Sequence, residues 1–184
     1  MTAAASVAGD ERLRLFLALR LPGDVVDALV AWQLRSLRGV RAVPRGHLHV
    51  TLAFLGHRPA AELPGIVGEL RAAAASAPPD VRLAPSRYRE TRSVAMLVLD
   101  DLDGGATALA QDLQARLEAL GVYRREARAW LPHVTVARFR ERPRLRLEPP
   151  PVGTFVPSDA AAYLSRLRPG GAEYAVLESV ALGG

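Results

Sequence analysis

Two short segments constrain this chain more than any other feature. His49-Val50-Thr51-Leu52-Ala53-Phe54 and His133-Val134-Thr135-Val136-Ala137-Arg138 agree at four of six positions. Through its first five residues each alternates a polar or small residue with an apolar one, the pattern of a strand with one face in a core. In the first, Leu48, Val50, Leu52 and Phe54 are expected on the core face, and His47, His49, Thr51 and Ala53 on the other. In the second, His133, Thr135 and Ala137 share a face, and a regular strand puts Val134, Val136 and Arg138 opposite. The chain must therefore bring two like strands to a place where two imidazoles and two hydroxyls need not be buried.

The rest of the sequence supplies the frame. Arg12 to Leu21 reads as a buried first strand, stopped by Pro22-Gly23-Asp24. Pro22 or Asp24 opens a helix, and Gly39 ends it. Its apolar face is expected to carry Val25, Val26, Leu29, Val30, Trp32, Leu34 and Leu37. Val40 to Val43 is short and extended, and a second helix runs over 60–77. Residues 81–90 and 93–99 read as a hairpin turning at Thr91-Arg92. Residues 107–120 form an amphipathic helix with Leu109, Leu113, Leu117 and Leu120 at helical spacing, closed by Gly121. Residues 140–151, basic and proline-rich, read as a surface loop. Strands at 155–156, 160–167 and 174–182 follow, with Pro169-Gly170-Gly171 as the turn between the last two. This order indicates an α/β or α+β fold with helices packed on sheets and no linker between independent domains.

Composition enters mainly through what it excludes. Apolar residues make up 49% of the 184, enough for a sizeable core. No apolar run approaches the ~18 residues of a membrane span, and residues 1–10, small and without a basic n-region, read as a disordered start rather than a secretory signal. With no cysteine there is no disulfide framework, thiolate zinc site or thiol nucleophile. A cytoplasmic location is the expectation. All 24 basic residues are arginine and the net charge is +5. With no lysine or asparagine and abundant alanine, this is also what a GC-rich genome produces, although a positive field still attracts phosphates.

The chemistry follows from the twinned motif. Histidine titrates near neutrality, so one imidazole can act as base while its twin acts as acid. A threonine two residues on lies on the same strand face and can donate to a phosphoryl oxygen. Two such units around one phosphate suffice for in-line displacement without a metal, and Arg138 can add a charge-assisted hydrogen bond. Threonine is also an ordinary strand former and a lone strand histidine is usually structural; matching contexts for two of only four histidines set this pair apart. His47 and His49 form a His-x-His pair, but further ligands at metal-site spacing are missing, so no metal is expected and His47 reads as a rim residue. No glycine-rich phosphate loop or G-x-S-x-G elbow is present.

On these residues the chain resembles the LigT-like RNA 2′,3′-cyclic phosphodiesterases, historically called 2′-5′ RNA ligases, of the two-histidine phosphoesterase superfamily. Residues 49–56 look like the family's first H-x-T-L-x-F-L-G motif, and residues 132–138 like its second. Residues 12–19 are similar to its opening strand, and residues 165–174 to its closing hairpin. The resemblance implies a bilobal α+β fold over residues 11–184, with two mainly antiparallel sheets lining a cleft, each bearing one motif, and helices outside. It implies metal-independent, cofactor-free hydrolysis of an RNA terminal 2′,3′-cyclic phosphate, or a cyclic nucleotide, to a 2′-phosphomonoester. His49 and His133 are then the acid–base pair, with His49 assigned as base and His133 as acid, although the sequence alone allows the exchange. Thr51, Thr135 and Arg138 are phosphate contacts. Phe16 matches an aromatic that stacks on the terminal base, or else is a core residue. Ala42 departs from the family, which often has tryptophan there, and this bears on base preference. Ligation to a 5′-hydroxyl is a side activity of the same chemistry, and a non-catalytic RNA-end binder is the alternative from another class. A monomer is expected.

Overall fold

The computed structural model describes residues 11–78 and 80–183, so the expectation for residues 1–10 lies outside the described residues. Its elements are β1 (Arg12–Arg20), α1 (Gly23–Ser36), β2 (Arg41–Ala42), β3 (His49–Pro59), α2 (Leu63–Ala75), β4 (Leu83–Glu90), β5 (Val94–Asp101), α3 (Gly105–Ala119), β6 (His133–Arg138), β7 (Asp159–Arg168) and β8 (Gly171–Val180). Short 3-10 turns at Arg45–His47 and Ala60–Glu62 lead into β3 and α2. Among the described residues the fold is α+β, a curled and wholly antiparallel sheet with three helices.

Strand order is β4-β5-β6-β3-β1-β7-β8, with β2 also on β6. The sheet has two halves, β3-β1-β7-β8 and β4-β5-β6-β2. Among the described residues the halves are paired at Val50 and Val134 alone. The two expected sheets are thus joined through one pair at the centre of both motifs.

All three helices pack on one face of this sheet. Their buried positions recur at helical spacing: Val25, Leu29, Trp32 and Gln33 in α1; Ile66, Leu70, Ala73 and Ala74 in α2; Leu109, Leu113 and Leu117 in α3. They meet Leu15, Leu17, Leu19, Val50, Leu52, Leu97, Val134 and Val136 in one core. Each such side chain removed from water contributes about 1.5–3 kcal/mol. The apolar pattern predicts Leu34 on this face, but it is 76% exposed: it lies five residues beyond Leu29, about 140° around the helix axis from it. The start of α3 is capped from outside, as Asp101 accepts from the backbone N–H groups of Ala106 (3.3 Å) and Thr107 (2.7 Å).

β1 is apolar on both faces because it lies between β3 and β7 with packing on each side. Leu15, Leu17 and Leu19 enter the helix-covered core, while Phe16 and Ala18 join Ala161 and Tyr163 in a second, smaller cluster on the opposite face. This accounts for the unbroken buried run from Leu15 to Leu19 in the first strand. The 140–151 segment has no regular structure, but it is tied down: Leu145 and Leu147 pack against the core, and Trp32 donates to the carbonyl of Glu148 (3.1 Å).

Candidate active site

Because Val50 and Val134 both point into the core, their neighbours point to the helix-free face. An antiparallel register centred on that pair sets residue 49 beside residue 135 and residue 51 beside residue 133. The two motifs are therefore related by a local two-fold through the valines, and each histidine is set beside the other motif's threonine.

The imidazoles are oriented alike. His49 Nδ1 is 2.7 Å from the carbonyl of His47, and His133 Nδ1 is 2.8 Å from the carbonyl of Leu131. A carbonyl can only accept, so both Nδ1 atoms carry the proton and both Nε2 atoms are left for chemistry. In neutral His49 the Nε2 lone pair then accepts from the Thr51 hydroxyl at 3.1 Å. Trp130 crosses between the motifs, donating its indole N–H to the carbonyl of Thr51 at 3.0 Å.

Both motifs carry a β-bulge at the same point. Ala18 pairs with Thr51 and Leu17 with Ala53, so Leu52 is the extra residue of β3. Met96 pairs with Thr135 and Ala95 with Ala137, so Val136 is the extra residue of β6. A bulge bends the strand and resets its alternation. This corrects two expectations. Ala53 and Ala137 are buried, whereas Phe54 and Arg138 turn out to the same side as the histidines and line the cleft. A buried glutamine serves each bulge: Gln114 of α3 donates to the Leu52 carbonyl (2.8 Å), and Gln33 of α1 to those of Val136 (2.8 Å) and Val43 (3.1 Å). Each of these helices follows, along the chain, a strand of one half of the sheet and braces the motif of the other half.

The cleft is a cavity of about 860 Å³. Phe16, His47, His49, Thr51, Thr135 and Arg138 line it, with Arg14, Arg41, Phe54 and Tyr174. His133 does not itself line this cavity; it is half-buried on β6, beside the position of Thr51. Arg168 and Glu173 at the rim are paired with each other (3.2 Å). Arg14 is hydrogen-bonded to Ser165 (2.6 Å), Arg41 to the carbonyl of Gly170, and Arg138 has no carboxylate partner among the described residues. The net charge facing the cavity is positive, as an anionic ligand requires.

Burial pushes the His49 pKa down to about 4, against the opposing carbonyl hydrogen bond, and the positive forms of His47, His133 and Arg138 lower it further. Burial and Arg138 also lower His47.

The aromatic residues sort into two groups. Phe16 is 3% exposed, stacked parallel on Tyr163 (4.7 Å between centroids) and set against the His49 ring (4.9 Å). It backs the imidazole and offers little free face. Open aromatic surface comes instead from Phe54, 48% exposed with the Arg14 guanidinium 4.7 Å from its centroid, and from Tyr174, stacked with His47 at 4.1 Å. His47 sits in the 3-10 turn before β3 and lines the cleft, the rim position expected of it. Ala42 also lines the cleft on β2. The bracing glutamines were missed from sequence; the available signal was a polar residue at a core position of two amphipathic helices.

A curled antiparallel sheet with twinned H-x-T motifs on its open face defines a two-histidine phosphoesterase. The family model described as the 2′-5′ RNA ligase superfamily matches residues 24–169. Over 182 residues the chain is 36% identical to an RNA 2′,3′-cyclic phosphodiesterase of Thermus thermophilus, covering 94% of this chain and 91% of that protein. A crystal structure of a protein from Thermus thermophilus superposes with a TM-score of 0.75 at 31% identity, covering 94% and 99% of the two chains. Escherichia coli LigT complexed with 3′-AMP shares the fold, with a TM-score of 0.80 at 23% identity over 95% and 100%. The chain belongs to the 2′-5′ RNA ligase superfamily.

Proposed function

We propose that this chain hydrolyses the terminal 2′,3′-cyclic phosphate of RNA to a 2′-phosphomonoester. The observation that carries the reading is the pair of H-x-T motifs related through Val50 and Val134, the Nδ1 of both histidines held by a backbone carbonyl, beside an arginine-lined cleft. The similarity to a Thermus protein named for this activity supports it.

His49 is the base. Its depressed pKa leaves Nε2 unprotonated at neutral pH, so it takes a proton from water as the water oxygen attacks phosphorus. The bond from phosphorus to the ribose 3′ oxygen breaks, and His133 gives that oxygen its proton. Both steps need Nδ1 held by a carbonyl, which fixes the ring while Nε2 changes state. Thr51, Thr135 and Arg138 hold the phosphoryl oxygens, with the Thr51 hydroxyl turning from Nε2 to the phosphate when substrate enters. Phe16 acts by holding the His49 ring. The reverse reaction with a 5′-hydroxyl would give a 2′–5′ linkage, but water is the more abundant nucleophile and hydrolysis prevails. In this reading the chain works as a monomer in the cytoplasm, one bilobal domain of residues 11–184 without a bound cofactor or metal. Among the described residues no helix is long and apolar enough to cross a membrane.

The test is an RNA oligonucleotide ending in a 2′,3′-cyclic phosphate, incubated with the protein after chelation of metals. The expected product is a 2′-phosphomonoester, recognised by its 31P spectrum and by conversion to a free end with phosphatase. A 3′-phosphate product, or tight binding without turnover, overturns the reading.

A further inference from the structure

Beside the main cleft lies a second cavity of about 420 Å³, lined by Phe54, Arg58, Val122, Tyr123, Arg124 and Glu126 among others. The two cavities share Phe54, whose ring is almost half exposed. We infer that this second cavity is a subsite for the nucleotide immediately upstream of the RNA end, with its base against Tyr123 or Phe54 and its backbone phosphate on Arg124. The inference rests on the proposed cyclic-phosphate reading and deepens it.

The first argument is directional. A strand whose 2′ and 3′ oxygens are both tied up in a cyclic phosphate continues only through its 5′ oxygen. For hydrolysis, where the nucleophile is water, a second nucleotide site contiguous with the cleft is therefore an upstream site. At Phe54 the cleft adjoins a further hollow, whereas at Gly170 its rim is bridged by the Arg41 guanidinium.

The second argument is chemical. Single-stranded nucleic acid is held by aromatic faces for the bases and cations for the backbone, without regard to sequence. Tyr123 is half-buried, with its ring partly packed against the core, and is pre-positioned. Of the charges at the cavity, Arg58 is paired with Glu62 (2.7 Å) and Glu126 with Arg128 (2.7 Å). Arg124 is exposed and has no carboxylate partner among the described residues. It is the surplus cation, placed where a phosphate one residue from the end would pass.

The experiment compares a mononucleoside 2′,3′-cyclic phosphate with di- and tetranucleotides carrying the same end, using the wild type, Arg124→Ala and Tyr123→Ala. The wild type should show a lower KM for the dinucleotide than for the mononucleoside. Each substitution should raise KM for the longer substrates about 5–10-fold, the loss of one phosphate or stacking contact, and leave the mononucleoside unchanged. Binding of a mononucleotide and a tetranucleotide ending in a 2′-phosphomonoester, followed by anisotropy, gives a second readout that needs no turnover. The salt slope for the tetranucleotide should fall by about one in Arg124→Ala. Equal effects on long and short substrates, or an affinity independent of length in the wild type, overturn the subsite. If the wild type turns over nothing while the anisotropy arm retains its length dependence, the cyclic-phosphate reading fails and the subsite stands.

Discussion

Val50 stands opposite Val134 where the two halves of the sheet meet, and both side chains are fully buried. Everything polar in the cleft is arranged about that pair. Because the valines occupy the core, His49 and Thr51 on one strand and His133 and Thr135 on the other must take the open face. Because the pairing is antiparallel, each histidine lies beside the other strand's threonine. The site is thus a consequence of where two strands touch.

Replacing His49 or His133 with asparagine should lower kcat by about 10²–10⁴-fold, the usual contribution of a general acid or base. Asparagine keeps an N–H for the carbonyl of His47 or Leu131, so both proteins should stay folded. The double variant should be little worse than the poorer single one, since the groups act together. Steady-state rates with a cyclic-phosphate oligonucleotide decide it; activity within a few-fold of wild type in either variant removes that histidine from the chemistry.

The low pKa of His49 carries two consequences for pH. In the free protein the base stays unprotonated until the pH nears about 4, so kcat/KM should hold between pH 7 and 5 and fall only below that. Stability moves differently. The unfolded chain protonates this histidine near 6.5 and the folded chain near 4. Between these values the unfolded state binds more protons, so folding weakens as pH falls, by up to about 3 kcal/mol. Urea unfolding at pH 7 and pH 5 should show about 2 kcal/mol of this loss in the wild type and much less of it in His49→Asn.

Gln33 and Gln114 hold the bulges that turn Arg138 and Phe54 into the cleft. Gln114→Met should leave the Leu52 carbonyl without its side-chain partner, at a cost of about 1–3 kcal/mol. It should also lower kcat more than it raises KM, because the bulge adjoins Thr51. Gln33→Met should act likewise on Val136 and Arg138. Thermal melts and kinetics measured together test this; a loss of stability with unchanged kinetics would reduce both glutamines to ordinary core hydrogen bonds.

The period-two pattern and the paired motifs made the strands, the shared face of His49 and Thr51, and the α+β class legible in the sequence. The helices were legible from the spacing of Leu109, Leu113 and Leu117 and of Val25, Leu29 and Trp32. The bulges were not. Strict alternation sends Arg138 and Phe54 to the core, and no local residue marks Leu52 or Val136 as the one that is skipped. The register shift is set by the neighbouring strands and by glutamines that come from far along the chain. For the same reason the site's outer wall, Arg41 against Gly170 and Tyr174 against His47, was invisible until the last hairpin was folded over it.

Phe16 separates two roles by kinetics. Packed between His49 and Tyr163, it should act on the base rather than on the substrate. Phe16→Leu is expected to lower kcat by about 3–30-fold through a looser imidazole, with KM for purine and pyrimidine ends changed alike. If KM instead rises selectively for one base, Phe16 stacks on the nucleotide, as the family resemblance implies.

Glu90 joins the frame of the cleft to acid stability. Its carboxylate is buried and accepts from the Tyr88 hydroxyl (2.9 Å), the backbone N–H groups of Leu145 (2.8 Å) and Arg144 (3.0 Å), and the Arg142 guanidinium (3.1 Å). Burial alone would raise its pKa, but these donors outweigh it and the net direction is down. Its contribution is therefore present above the pKa of an unfolded glutamate and is lost as the pH falls through the lower folded value. Glu90→Gln should cost about 1–3 kcal/mol at neutral pH, since an amide cannot accept from all four donors. It should also flatten the loss of stability on acidification below the range in which an unfolded glutamate titrates. The segment it ties begins just beyond Arg138, so limited proteolysis within residues 140–151 should speed up in the variant, with a modest rise in KM. A variant as stable and as protease-resistant as wild type would mean that the core contacts of Leu145 and Leu147 hold the segment unaided.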